Sequence, residues 1–183
     1  MSPHQSEDIV YCTWTHRAGL PPLLRERLGD LDHLLRDLII SATSSVLLVA
    51  PYLSPSGVKS VKDGLAVAAK QGAFIRIVTE NLDTNGGLNR KAIAELVAGD
   101  AGDRIESRLR VLTSSGPLPE LVHAKLLVVD GQRGYLGSAN LSQRALESNF
   151  EIGLSLHPRQ AETLEHLISY LESNGHLAEM PIP

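Results

Sequence analysis

Val122 to Glu151 reads VHAKLLVVDGQRGYLGSANLSQRALESNFE. Within it, Leu126 to Val129 is a short apolar run closed by Asp130-Gly131, the signal of a strand running into a turn. A strand that starts near Val122 places His123 and Lys125 on one face by alternation. A titratable ring and a fixed cation then share a rigid element, which is what a phosphate-handling site needs. Beyond the turn come Gly137-Ser138-Ala139-Asn140 and then Glu151.

The flanks read as strands alternating with helices. Ile9 to Thr15 is rich in β-formers. After Pro21-Pro22, Leu24, Leu28, Leu31, Leu35, Leu38 and Ile39 recur at helical spacing, with Gly29-Asp30 weakening the middle enough to allow two short helices. Ser45 to Tyr52 is a continuous apolar strand of the kind buried on both faces. Ser54-Pro55 is an N-cap with proline at the first helical position, opening a helix that ends near Gly72. Phe74 to Thr79 alternates as a strand, and Asn81 to Asn89 is a loop leading into a helix stopped by Gly99. Arg108 to Leu112 is another strand, and Thr113 to Glu120 a loop with two prolines. In Phe150 to Leu156, alternation puts Phe150, Ile152, Leu154 and Leu156 on one face. Glu151, Gly153 and Ser155 fall on the other, leaving room for a histidine ring beside Glu151. Pro158 opens a last helix with Ala161, Leu164, Leu167, Ile168 and Leu171 inward. The fold class expected is α/β, a mixed β-sheet sandwiched between helices. No second domain, linker or internal repeat is visible, so residues 1–183 read as one domain with residues 1–8 frayed.

The pattern H-x-K-x4-D followed by G-S-x-N, on His123, Lys125, Asp130, Gly137, Ser138 and Asn140, resembles the HKD signature of the phospholipase D superfamily. Asn149-x-Glu151 is similar to that family's downstream acidic position. The motif occurs once, so the chain resembles short single-motif bacterial members. The likeness runs in order of elements from about residue 9 to 174 and implies an α/β/α sandwich. It also implies that His123 attacks phosphorus to form a phosphohistidine while a second histidine protonates the leaving oxygen and then activates water. Lys125 and Asn140 would hold the non-bridging oxygens, Ser138 would add a hydroxyl donor, and Glu151 would fix the tautomer of His123. Asp130, at a strand end before Gly131, is read as structural support. A lone histidine beside an apolar strand is usually structural, and GSAN alone is turn composition; the joint spacing with Glu151 is what assigns a site.

Composition bounds the rest. The 183 residues are 43% hydrophobic and 21% charged, ordinary values for a soluble globular domain. One cysteine, Cys12, excludes an intrachain disulfide framework, fits a reducing cytoplasm and reads as a small buried hydrophobe. There is no apolar run of about 18 residues, and the start lacks the features of a secretory signal. The remaining histidines, His4, His16, His33, His157, His166 and His176, show no metal-ligand spacing. Neither metal nor cofactor is expected, because Lys125 and the neutral donors supply the charge stabilisation a divalent ion would give. One motif leaves the chemistry one histidine short, so a homodimer sharing the active site is expected, with His16 as a weaker candidate for the missing acid.

Three functions compete. A nuclease acting on DNA or RNA comes first, with Arg76, Arg90, Lys91, Arg104, Arg108, Arg110, Arg133 and Arg144 as candidate phosphate contacts. Against it stand a net charge of −4 and only 4% aromatic residues. A phospholipase or phosphatidyltransferase comes second. Third is a non-catalytic or auxiliary subunit of a nucleic-acid-processing or phage-defence complex, as PLD-like subunits are in systems such as DISARM. The intact residue set argues against degeneration.

Overall fold

The structure is a computed structural model that describes residues 10–13, 19–82, 87–115 and 122–182. The chain enters as β1 (Val10–Thr13). The leucine-spaced stretch that follows is divided, at the Gly29-Asp30 break, into α1 (Pro22–Arg27) and α2 (Leu31–Ile40). A short strand fills the break, β2 (Leu28–Asp30), parallel to β1. Asp30 caps α2 by accepting the His33 N–H at 3.0 Å. β3 (Ser45–Val49) is buried on both faces, as its unbroken apolar run demands. Ser54 caps α3 (Pro55–Gln71) through the Gly57 N–H at 3.0 Å, and Gly72, at φ 104°, ends it.

β4 (Phe74–Val78) is followed by α4 (Leu88–Leu96) and α5 (Gly99–Glu106). Gly99 is therefore not a simple stop: its left-handed φ of 67° turns the chain straight into a second helix. β5 (Leu109–Ser114) extends past Leu112, and the expected prolines, Pro117 and Pro119, lie outside the described residues. The signature forms β6 (Leu126–Val129) and β7 (Arg133–Gly137), then α6 (Gln143–Glu147) and β8 (Glu151–Leu156). The strand begins at Leu126 rather than near Val122, so His123 and Lys125 precede it. α7 (Pro158–Ser173) and an edge strand, β9 (Leu177–Met180), complete the fold.

Among the described residues nine strands make one mixed sheet in the order β2-β1-β8-β7-β6-β3-β4-β5-β9. β3, β4 and β5 are parallel, while β6 runs against β3, and β7 and β8 continue antiparallel out to β1. One face carries α2, α3, α4 and α5 over a core that includes Leu31, Ile39, Leu65, Ile75, Ile77 and Ile93. Each such fully buried side chain contributes about 1.5–3 kcal/mol. The other face carries α7 over a smaller cluster of Leu47, Val49, Val78, Leu112, Leu126 and Val128. Arg76, expected among phosphate ligands, instead pairs with Glu165 (2.9 Å) and Glu172 (3.6 Å) on α7. Arg110 likewise pairs with Glu172 and Glu179, at 2.7 Å each.

The apolar face of β8 is left largely open, and one residue of α7 departs from the inward placement expected of it. In β8 the buried set is Glu151 and Gly153, whereas Phe150, Ile152 and Leu154 are 66%, 48% and 48% exposed. The cause is unequal coverage: α7 stands over β6 and β7, and among the described residues no helix covers the same face of β8 and β1. Leu167 of α7, placed inward by spacing, is 49% exposed for the same reason.

Candidate active site

Because β6 opposes β3 (Leu126 beside Val49), residues that precede β6 stand at the carboxyl ends of β3, β4 and β5. The same edge receives the end of β7 and the start of β8, where Gly137 pairs with Gly153. His123, Lys125, Ser138, Asn140 and Glu151 thus gather at one sheet edge, the usual place for ligands in open α/β sheets. Asp130 lies at the other end of β6, on the opposite edge.

His123 is exposed and Lys125 partly buried. The ammonium of Lys125 lies 3.1 Å from Nδ1 and 3.4 Å from Nε2 of His123, and donates to the His123 carbonyl at 2.8 Å. An ammonium has only donors to offer, so the ring nitrogen it faces presents its lone pair. Burial pushes the Lys125 amine below its ordinary value, and the charge of Glu151 opposes that shift.

Glu151 is buried, and both its oxygens are taken. Ser138 Oγ donates to Oε2, and Asn149 Nδ2 donates to Oε1 at 3.1 Å. The hydrogen bond from His123 that the resemblance implies is not formed. The space beside Glu151 holds no histidine ring but that of Tyr135, for which Gly137 and Gly153 make room; a Cβ at either would strike it. Nor is the Ser138 hydroxyl a free donor, since it is spent on Glu151. The Tyr135 hydroxyl accepts the Ala139 N–H at 3.2 Å and so holds the GSAN turn from below. Burial raises the Tyr135 pKa, the Ala139 bond lowers it and the Glu151 charge raises it further, for a net rise.

Asn140 is oriented by the loop after β3: its Oδ1 accepts the Tyr52 N–H at 3.2 Å. Its Nδ2 has no protein acceptor among the described residues, which leaves its amide hydrogens available at the sheet edge that also carries Lys125. Sequence reasoning missed Tyr135, and also Glu80 and Asn89, two polar side chains each 4% exposed beneath this edge. No local pattern marks them.

Asp130 is saturated. Its carboxylate accepts the Thr43, Ser44 and Ser45 N–H groups and the Thr43 and Ser44 hydroxyls, at 2.8–3.1 Å. Its own backbone is left-handed, φ 54°, as the turn into Gly131 requires. Burial alone would raise its pKa; the bonds from the Ser45, Ser44 and Thr43 backbone and the Ser44 hydroxyl outweigh it and hold the carboxyl at about 2. His16 lies outside the described residues. Among the described residues no cluster of histidine, cysteine and carboxylate side chains has the geometry to hold a metal ion, and no helix is long and apolar enough to cross a membrane. Cys12 is buried.

The chain is similar to known proteins in sequence and in fold. The family described as "Cardiolipin synthase, PLD-like domain" matches residues 35–174. A cardiolipin synthase of Listeria monocytogenes is 26% identical over 123 residues, which are 67% of this chain and 23% of that protein. The probable cardiolipin synthase YwiE of Bacillus subtilis is 26% identical over 176 residues, 88% of this chain and 29% of its own length. The chain therefore spans about a quarter of the curated relatives it matches. Among solved structures, Nuc from Salmonella typhimurium, a phospholipase D family member, superposes with a TM-score of 0.64 at 22% identity, covering 95% of this chain and 99% of that one. With the family match spanning well over half its length, the chain belongs to the PLD-like domain family of the phospholipase D superfamily.

Proposed function

We propose that the protein cleaves phosphodiesters without a metal ion, through a covalent phosphohistidine on His123. A nitrogen of His123 attacks phosphorus and the bond to the leaving oxygen breaks. Lys125 and the Nδ2 amide of Asn140 take the charge on the non-bridging oxygens. A second histidine protonates the leaving oxygen, then removes a proton from the water that attacks phosphorus and releases His123. Glu151, held by Ser138 and Asn149, balances the charge of the cationic edge. The single observation that carries this reading is the pairing of an exposed imidazole with a partly buried ammonium at 3.1 Å, at the same sheet edge as an amide donor with no protein acceptor among the described residues.

The second histidine is His123 of a second copy, related by a twofold axis beside the site. Support comes from the part of the α7 face that no helix covers among the described residues: Val10, Leu136, Ile152 and Leu154 lie open there, with Leu167 of α7 exposed as well. Each copy would offer the other the apolar cover it lacks.

For the substrate, nucleic acid is the first reading. Of the eight candidate cations, Arg90 and Lys91 of α4 and Arg144 of α6 stand on elements that leave the edge carrying His123, and among the described residues they join no ion pair. Arg104, Arg108 and Arg133 belong to the opposite edge, and Arg133 donates to Ser41 Oγ at 2.9 Å. Tyr52, 57% exposed beside Asn140, offers a ring on which a base can stack. A phosphatidyl-transfer reading has its own observation. A groove of about 310 Å³ lined by Leu126, Leu136, Leu164, Leu167 and Ile168 opens beside His123, and two curated relatives carry the name cardiolipin synthase.

One experiment separates these. Plasmid, single-stranded DNA, RNA and phosphatidylglycerol vesicles are incubated with the protein in excess EDTA, with His123→Ala as control. Nucleic-acid cleavage that survives EDTA supports the nuclease. Lipid turnover alone moves the assignment to phosphatidyl transfer, and activity abolished by EDTA and restored by Mg²⁺ overturns the phosphohistidine mechanism.

A further inference from the structure

Beneath the open edge, two polar side chains are buried that the chemistry above does not use. Glu80 follows β4 and is 4% exposed. Its Oε1 accepts the Val122 N–H at 2.9 Å and the Ser114 hydroxyl, while Ser114 Oγ itself lies 3.3 Å from the Val122 nitrogen. Val122 is the residue next to His123. Asn89, in the first turn of α4 and also 4% exposed, donates through Nδ2 to the carbonyls of Glu80 (2.6 Å) and Pro51 (2.7 Å) and to Thr79 Oγ1 (3.1 Å). Its Oδ1 accepts the Leu53 N–H at 2.8 Å. Tyr52, held between Pro51 and Leu53, is the residue whose N–H fixes Asn140.

A carboxylate and an amide at this depth are costly unless every lost water contact is replaced. Packing alone would be met more cheaply by leucine. What the two polar groups supply is a connected frame. The Glu80 carboxylate holds the segment that carries His123, and the Glu80 carbonyl, through Asn89, holds the loop that orients Asn140. We infer that Glu80 and Asn89 are positioning residues that set the nucleophile and the amide donor at a fixed separation across the sheet edge. The inference rests on the phosphodiesterase reading, and neither residue touches substrate. A misplacement of about 1 Å costs on the order of 100-fold in rate, which gives the frame its leverage.

The test uses Glu80→Ala, which removes the acceptor, and Glu80→Gln, which keeps Oε1, with bis(4-nitrophenyl) phosphate as substrate. Glu80→Ala is expected to lower kcat roughly 10- to 100-fold with KM little changed, and Glu80→Gln to stay close to wild type. Amide hydrogen exchange at Val122 and His123 provides a readout independent of turnover, expected to speed up in Glu80→Ala and not in Glu80→Gln. Wild-type kcat and wild-type protection in a folded Glu80→Ala protein overturn the inference. So does a loss matched by a lower folded fraction alone, or equal damage from both substitutions. If Glu80→Ala does not fold, Ser114→Ala carries the test, with slower turnover and faster exchange at Val122 expected and no change in either overturning the role. If the wild type turns over no phosphodiester, the phosphodiesterase reading fails, and exchange at Val122 still decides whether the frame exists.

Discussion

The two ends of β6 carry the same signature and treat their polar groups in opposite ways. At one end Asp130 takes five donors from Thr43, Ser44 and Ser45 and has little capacity left. At the other, among the described residues Lys125 spends its ammonium on His123 alone, through the ring and the carbonyl, and the Asn140 amide hydrogens meet no acceptor. A saturated carboxylate cannot serve a substrate, whereas a cation satisfied only by its neighbour can be redirected to a phosphate at little cost. The contrast separates residues that build the sheet from residues kept available for chemistry, although the motif itself does not distinguish them.

Substitutions at the two ends should therefore fail differently. The largest effect is expected for His123→Ala, which removes the only group proposed to bond to phosphorus: turnover of any diester should vanish while the thermal midpoint stays near wild type. Lys125→Ala and Asn140→Ala should each lower kcat by roughly 10²–10³, about 2.7–4 kcal/mol of transition-state stabilisation, the size of losing one oxyanion donor. Steady-state kinetics with a folded-fraction control will show it. Activity lost in a fully folded Asp130→Asn protein but kept in Lys125→Ala would reverse the two assignments.

At the saturated end the loss should be one of stability. Asp130→Asn keeps an acceptor and tolerates the left-handed backbone, but turns an NH₂ group towards backbone and hydroxyl donors. A cost of about 2 kcal/mol, the scale of hydrogen bonds to a charged group, lowers the thermal midpoint by roughly 4–8 °C in a chain of this size. Its pH signature follows from the depressed carboxyl. A group whose pKa is about 2 when folded and about 3.9 when unfolded contributes stability above the unfolded value and loses it as pH falls towards the folded one. Denaturation curves of wild type and Asp130→Asn should differ most above about pH 4 and converge towards pH 2. Smallest in its effect on the isolated fold is Leu154→Asp on the open face. The side chain is already 48% exposed, so thermal stability should barely change, while light scattering should report loss of the proposed dimer and activity should fall with it.

What could be read in the sequence was local or periodic. β3, the Ser54 cap and the length of α3 follow from apolar runs and capping chemistry a few residues apart. β2, β9 and α5 did not announce themselves, because they are short and two of them are strands that exist through pairing with distant partners. In the site, His123, Lys125, Asn140 and Glu151 were legible as spacing, yet their contacts were not. Glu151 is claimed by Ser138 and Asn149, and Tyr135 fills the space assigned to an imidazole. Glu80 and Asn89 look like surface residues of a loop and a helix start; only tertiary burial turns them into a frame. The exposed Ile152 and Leu154 show the converse limit. Alternation sorts residues onto two faces, and it does not say which face the fold leaves uncovered.

The covalent step is the centre of the account, and rapid quenching followed by mass spectrometry tests it directly. Protein mixed with excess diester and quenched under alkaline conditions should carry one substrate arm as a phosphoramidate on the peptide containing His123, and the His123→Ala protein should carry none. An adduct on another residue, or turnover in EDTA with no adduct at any time, would contradict it.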